Sequence, residues 1–545
     1  MGSLRIFRTT ALAAALVLSA AACSGGGSSD NSSDSGKPYE ITNLTPPGKG
    51  PVDQVKWSLY AEPQTLDYAY AFDYPINAVL ANVCESLLRV TPEFKLTPGL
   101  AASFANPDPL TWTYKLRSDV KFHDGTAMTS KDVVASLERQ MDPEVGSVYA
   151  TVFKDVESIK ATGPLDVTIK LKRPNVLLNE QLGASAGTIE SADFLAKAGK
   201  DYGNPQGGVN CTGPYSLKEW KPGTAITIKK NDAYWDKSLT PQVGELEFVF
   251  IQDPAARANA LITGEVDGGY LLPTDAYQKL QAGDGKLYFG DITGNYSAAV
   301  TNLKGALGDQ KVRQALSLAI DREGIIKAGL NGYGVLAKAP IPASGWGTIP
   351  AVQAAQQYTD LPEPKQDLEA AKKLVAEAGA TGKKIVVATS PLATEITVST
   401  NEIQRAGQAI GLEVELKTIS PDAYTALFTD PSARDGIDML VTSGYDVTPD
   451  PLEFYQTLQT GEFANYGSWS NPEYDAIIQE ALGTADPAAR AALTAKAQAI
   501  ALRELPGIPL WESPLSLYMS KRITGATSNI SHLSFPWAAT LGAAG

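Results

Sequence analysis

Hydrophobic positions along the chain follow two different periods. Trp112, Tyr114 and Leu116 alternate with Thr113, Lys115 and Arg117, the period-two pattern of a strand with one buried face. The same alternation recurs at Val167, Ile169 and Leu171, and at Leu246, Phe248 and Phe250. Residues 55–60 read as a strand that runs into a turn at Glu62-Pro63, and residues 384–388 and 412–416 read as two more. Elsewhere apolar residues fall three and four apart. Val79, Val83 and Leu87 predict a helix over 76–88. Val312, Ala315, Leu316, Ala319 and Ile320 form one apolar stripe behind Asp309, a side chain suited to capping a helix start. Residues 366–380, 403–410 and 487–503 predict three further helices, the last rich in alanine. This mixture of helices and strands, without a short-period repeat, predicts an α/β protein of several lobes.

The N-terminal pattern is of another kind. The first ten residues carry Arg5 and Arg8 and no acid, and residues 11–22 are all apolar or small. That arrangement describes an export signal, and its apolar run is short of the roughly 20 residues needed to span a bilayer. The run stops at Cys23, after which the chain is almost entirely Ser, Gly, Asp and Asn through residue 36. Ala20-Ala21-Ala22-Cys23 resembles a bacterial lipobox, with Ala20 where such boxes usually carry leucine. The expectation is a signal peptide over 1–22, a lipidated Cys23 and a flexible linker over 23–51. The protein would then sit outside the cytoplasm, anchored to the outer face of the cell membrane. Ordinary secretion after an Ala-x-Ala cut is the alternative.

Composition narrows the function. The chain has 545 residues, 43% hydrophobic and 19% charged, which suits a globular protein of two or three domains. Its net charge is −14 and it has no Lys/Arg-rich block, so nucleic acid is not an expected partner. Of its three cysteines, Cys84 and Cys211 remain once Cys23 is given to the lipid. An even pair outside the cytoplasm suggests one disulfide, with two separate buried thiols as the alternative. There is no phosphate-binding loop and no H-E-x-x-H helix. The only two histidines, His123 and His532, cannot make a multi-histidine metal site within one chain. His123 lies in K-F-H-D-G-T, a strand entering a turn, where local hydrogen bonding is the expectation. No G-x-S-x-G elbow accompanies His532. No catalytic residue, metal or cofactor is therefore expected.

Five separated stretches resemble one family in order and spacing. They are LAASFANPDPLTWTYKLRSDVKFHDGTAMTSKDVVASLER from residue 100, CTGPYSLKEWKPGTAITIKKNDAYW from 211, RANALITGEVDGGY from 257, DQKVRQALSLAIDREGII from 309, and GYDVTPDPLEFY with YGSWSNPEYDAII between 444 and 478. Together they are similar to the family 5 extracellular solute-binding proteins of ABC importers, the peptide and nickel group. The resemblance implies a two-lobed periplasmic-binding-protein-like fold of the type II large class, with an extra subdomain in lobe one and a hinged cleft. Lobe one would span 52–300 and return at 513–545, and lobe two would span 301–512. The crossings would lie near 300–302 and 509–511. Cys211 stands where most members have glycine, and the helix bearing Cys84 packs near T-G-P-Y in that fold, which strengthens the disulfide reading.

By the same resemblance, the protein would be a monomeric receptor that captures peptides and delivers them to ABC permease subunits. A metal chelate or an oligosaccharide is the alternative solute, and an enzyme or adhesion protein on the same scaffold is a more distant one. Family peptide binders meet the ligand ammonium with an aspartate before a P-D-P-like turn. Asp446, beside Tyr445, is the matching residue, although this chain is one residue longer before the turn. A loop aspartate that caps its own backbone is the other reading. Tyr68, Tyr70 and Phe72 stand at the expected cleft edge, Tyr296 before the first crossing, and Trp346 and Trp469 in loops. Such aromatics suit sequence-tolerant peptide contact, or else pack in the core.

Overall fold

The structure is a computed structural model that describes residues 38–446, 448 and 450–545. The expected export signal and the lipid site Cys23 lie outside the described residues. Among the described residues, no helix is long and apolar enough to cross a membrane.

A seven-stranded sheet forms the base of the first lobe, in the order Tyr215–Lys221, Ala225–Lys230, Val243–Phe250, Val52–Leu59, Gly268–Tyr270, Leu515–Met519, Lys286–Gly290. Val52–Leu59 runs parallel to its neighbours on both sides, with Trp57 opposite Phe248 and Gly268. The period-two pattern turns Val55, Trp57, Leu246 and Phe248 into the core, where Trp57 meets Trp537 with ring centroids 4.5 Å apart. Position 268 has to be glycine, because a Cβ there would stand 2.5 Å from the Trp57 ring.

The second lobe is built on a six-stranded sheet, in the order Val335–Leu336, Gly507–Glu512, Tyr296–Val300, Met439–Ser443, Lys384–Thr389, Glu413–Thr418. Helices Gln310–Ala319, Leu368–Glu377 and Thr394–Ala409 share its core. Asp309 caps the first of them by accepting from the Lys311 N–H at 2.8 Å. Helices Pro472–Leu482 and Pro487–Glu504 enclose a further core beside it. A third, antiparallel sheet of Ala101–Asp108, Thr111–Leu116, Asp166–Leu171 and Val156–Gly163, with helix Ser130–Met141 against it, has a core of its own around Tyr114, Leu137 and Ile169.

Three expectations change. The crossings between the two large sheets fall at 291–295 and 513–514. They were expected at 300–302 and 509–511. Tyr296–Val300 is an inner strand of the second sheet, paired on both sides, so the chain has already crossed when it begins. The helix predicted over 76–88 runs Tyr74–Val83. It stops because Cys84 is bonded to Cys211 and the Val83 carbonyl accepts from Gly213 N–H at 2.9 Å. Gly213 is needed there for space, since its Cβ would lie 2.5 Å from the Val83 oxygen. The linker expected to reach residue 51 is bound from residue 38 onward. Ile41 and Leu44 form bridges to Phe289 and Thr527, and Tyr39 packs on Phe289 and Tyr333.

Candidate functional site

A cleft of about 1100 Å³ opens between the two lobes. The first lobe contributes the turn that follows Val52–Leu59, the segment through Tyr70, Phe72 and Asp73, and the flanking Ser147 and Trp220. The second lobe contributes Pro391 and Leu392, the face of helix Pro421–Thr429 bearing Thr425 and Thr429, and Phe463. Local capping shapes the first wall. Asp67 caps the short 3-10 turn Tyr68–Tyr70 and is gripped by Arg139 at 2.7 and 2.5 Å. Asp73 caps the helix Tyr74–Val83 through the Tyr74 N–H at 2.8 Å and accepts from the Tyr60 hydroxyl at 2.7 Å. Burial raises the Asp73 carboxyl above its usual range, against those two donors.

The loop 444–446 closes against this wall. The Tyr445 hydroxyl donates to the Phe72 carbonyl at 3.0 Å, and its ring lies 5.2 Å from that of Tyr74. The crossing segment fastens the loop from behind. Thr293 Oγ1 donates to the Asp446 carbonyl at 2.6 Å and accepts the Asp446 N–H at 2.8 Å. Gly294 lies so close to Gly444 that a Cβ would stand 1.9 Å from its carbonyl oxygen. Asp446 is 1% exposed, and its Oδ2 has no hydrogen-bond partner among the described residues. Burial, followed by the carboxylates of Glu453 and Asp450, pushes its carboxyl well above the usual range. Asp450 is matched instead, by buried Arg490 at 2.7 Å. Arg490 also stands 4.0 Å from Glu180 of the first lobe, whose carboxyl burial and Asp450 raise to about 7.

The sequence-derived candidates separate into two groups. Tyr70 and Phe72 line the cleft, and the Tyr70 hydroxyl donates to the Val145 carbonyl at 2.8 Å. Tyr445 and Asp446 do not line the cleft: Tyr445 stands behind Phe72, bonded to its carbonyl, and Asp446 is buried next to it, held by Thr293. Tyr68 is a correction: the 3-10 turn rotates it inward, onto the first-lobe core. Trp346 is fully buried among the helices of the second lobe and Trp469 nearly so, its Nε1 donating to Glu504 at 3.0 Å and its ring against Tyr474. Both are packing residues, because helix Pro487–Glu504 and its partner cover the loops that carry them. Tyr296 stacks on Trp511 at 4.6 Å, within the second sheet rather than on the cleft wall. Sequence reasoning missed Tyr60, Trp220 and Phe463 as wall residues. Tyr60 ends a predicted strand and Trp220 belongs to a quoted motif, so both carried a local signal; a lone phenylalanine at 463 carried none.

The two histidines serve the scaffold. His123 Nε2 donates to the Gly213 carbonyl at 3.1 Å, and burial lowers its pKa to about 4. His532 is stacked on Tyr270 at 3.9 Å with Nδ1 at 3.0 Å from the Asn529 carbonyl, and burial lowers it to about 3.

Comparison with known proteins agrees with this architecture. Residues 95–466 match the profile of bacterial extracellular solute-binding proteins, family 5 Middle. The glutathione-binding protein GsiB of Escherichia coli O1:K1 / APEC is 29% identical over 480 residues, covering 85% of this chain and 89% of its own. PBP AgaA from A. tumefacien R10, solved in complex with agropinic acid, superposes with a TM-score of 0.81 at 24% identity, over 90% of this chain and 98% of its own. DppA from Helicobacter pylori, solved with the peptide STSA, gives 0.80 at 20% identity, over 91% and 99%. Both solved structures share the two-lobed fold. With two lobes around one cleft and a profile match across most of its length, the chain belongs to the bacterial extracellular solute-binding proteins, family 5.

Proposed function

We propose that this protein is an extracytoplasmic receptor that captures peptides in the interlobe cleft and hands them to the permease of an ABC importer, tethered to the membrane through Cys23. The observation that carries the receptor reading is the cleft itself, about 1100 Å³ and walled from both lobes. That volume stands at the upper end of ligand pockets, roughly 300–1,000 Å³, and suits a ligand far larger than a bare ion. Two short crossings, 291–295 and 513–514, would act as the hinge. Ligand that contacts both walls would favour the closed arrangement and so present a distinct face to the permease.

The peptide reading rests on Asp446. A buried carboxylate with one oxygen left without a donor is costly unless it is protonated or meets a cation. A peptide α-ammonium would supply the missing charge-assisted hydrogen bond, with Tyr445 as the gate residue beside it. Tyr70 and Phe72 would give side-chain-tolerant contact along the chain of the ligand. Five aromatic rings on the wall also suit sugar faces, which keeps an oligosaccharide as the second reading. The test is to purify the protein, denature it and identify released small molecules by mass spectrometry. A ladder of short peptides supports the proposal. A single sugar or metal chelate overturns the peptide reading and leaves the receptor role standing.

A further inference from the structure

The cleft wall carries charge of one sign. Glu62 and Asp73 line it, and among the described residues no lysine, arginine or histidine does. Both carboxylates are held in place by fixed donors. Glu62 accepts from Trp220 Nε1 at 2.8 Å and from the Gly223 N–H at 2.9 Å. Asp73 accepts from the Tyr60 hydroxyl and the Tyr74 N–H. Arg257 and Lys154 stand nearby, and neither lines the cleft. Arg257 lies behind the wall, 5.7 Å from the centroid of the Tyr60 ring; its Nη2 donates to the Leu271 carbonyl, and its Nε and Nη1 have no hydrogen-bond partner among the described residues. Buried Glu395 of the second lobe acts on it electrostatically. Lys154 is tied across the lobes to Glu462, the neighbour of the wall residue Phe463. The rest of the wall is neutral, with Tyr60, Tyr70, Phe72, Trp220 and Phe463 among proline, aliphatic, hydroxyl and amide side chains, and ring faces attract cations and repel anions.

We propose that this wall selects among ligands by charge. It accepts cationic, aromatic and apolar side chains and rejects side chains that carry carboxylates. Glutathione, with two carboxylates and one ammonium, is among the rejected ligands despite the relation to glutathione-binding proteins. The reason is desolvation. A side-chain carboxylate that faces Glu62 and Asp73 loses water and meets no cation among the described lining residues. A lysine side chain entering the same space meets two carboxylates and aromatic faces. The net charge of −14 extends the same preference to the approach.

The choice of probes rests on the peptide reading above. The full-length protein is mixed with a library of short peptides identical except for Lys, Gln or Glu at one internal position, and the captured members are quantified by mass spectrometry. Lys members are expected to exceed Glu members by about tenfold, with Gln between them, and glutathione is expected to give no thermal shift. Equal capture of Glu and Lys members, or a thermal shift with glutathione, overturns the charge proposal and leaves the peptide reading intact. Capture of no member removes the peptide reading. The charge claim is then decided by thermal shift with small carboxylates against small amines, and stabilisation by carboxylates overturns it. Gln252→Lys places a cation on an exposed wall position and is expected to restore capture of Glu members. Unchanged exclusion in that variant means that wall charge is not the cause and overturns the proposal.

Discussion

Asp446 holds a carboxylate oxygen with no hydrogen-bond partner among the described residues at a place with 1% exposure, and Glu453 and Asp450 surround it with like charge. Asp446→Asn is therefore expected to cost a peptide with a free N terminus about 2–5 kcal/mol of affinity, read by calorimetry. The same peptide acetylated at its N terminus should bind the two proteins alike. Affinity should also rise with pH as Asp446 gives up its proton, until the ligand amine loses its own at about 7.7–8.0. An unchanged affinity in the variant would remove Asp446 from the site. Glu180 makes a second, independent test. Its carboxyl is raised from 4.5 to about 7, chiefly by burial and then by Asp450. The folded state thus binds the proton more readily, so this group's contribution is complete below 4.5 and is lost as pH rises through about 7. Glu180→Gln is expected to be more stable than the parent at pH 8 by about 1–3 kcal/mol, and equal to it in acid, in urea unfolding across pH. At this scale the sequence showed which residue types could recognise a peptide. It did not show which way they face, because the same T-L-D segment turns Tyr68 into the core and Tyr70 outward.

Elements were legible where the signal was local. Asp309 caps its helix, the alternation at 112–116 is a strand, and the alanine-rich segment is the helix Pro487–Glu504. They were misjudged where a distant residue decided. The helix Tyr74–Val83 ends early because a bond from Cys84 to Cys211, 127 residues away, and the close approach of Gly213 stop it. No periodicity at 76–88 contains that information. Closing a loop of this length is worth about 4–5 kcal/mol in the chain-entropy account. Replacing both Cys84 and Cys211 by alanine should lower unfolding stability by about 2–5 kcal/mol, seen as a lower urea midpoint with the folded spectrum kept. A midpoint equal to that of the parent would show that the bond does not constrain the unfolded chain.

Across the whole molecule, the cleft exists only because segments from 60–76 and 391–463 are brought face to face. The lobes also touch through Lys154 with Glu462 and through the Val176 N–H on the Leu482 carbonyl. If the crossings at 291–295 and 513–514 act as a hinge, small-angle scattering should record a smaller radius of gyration when ligand is added. Lys154→Ala should then speed ligand dissociation several-fold with little change in association, because the contact acts after encounter. An unchanged radius on saturation would count against closure. What the sequence determined by itself was short-range or compositional: the period of each element, the helix caps, the α/β class and a family pattern spread over five stretches. Tertiary structure alone decided where the chain crosses between sheets, which aromatic rings face the cleft, and that Asp446 is buried with its Oδ2 lacking a partner among the described residues. The reason is physical. Periodicity records which face of an element is apolar, whereas a cleft wall is set by which distant faces meet, and a carboxylate's partner can stand far away along the chain.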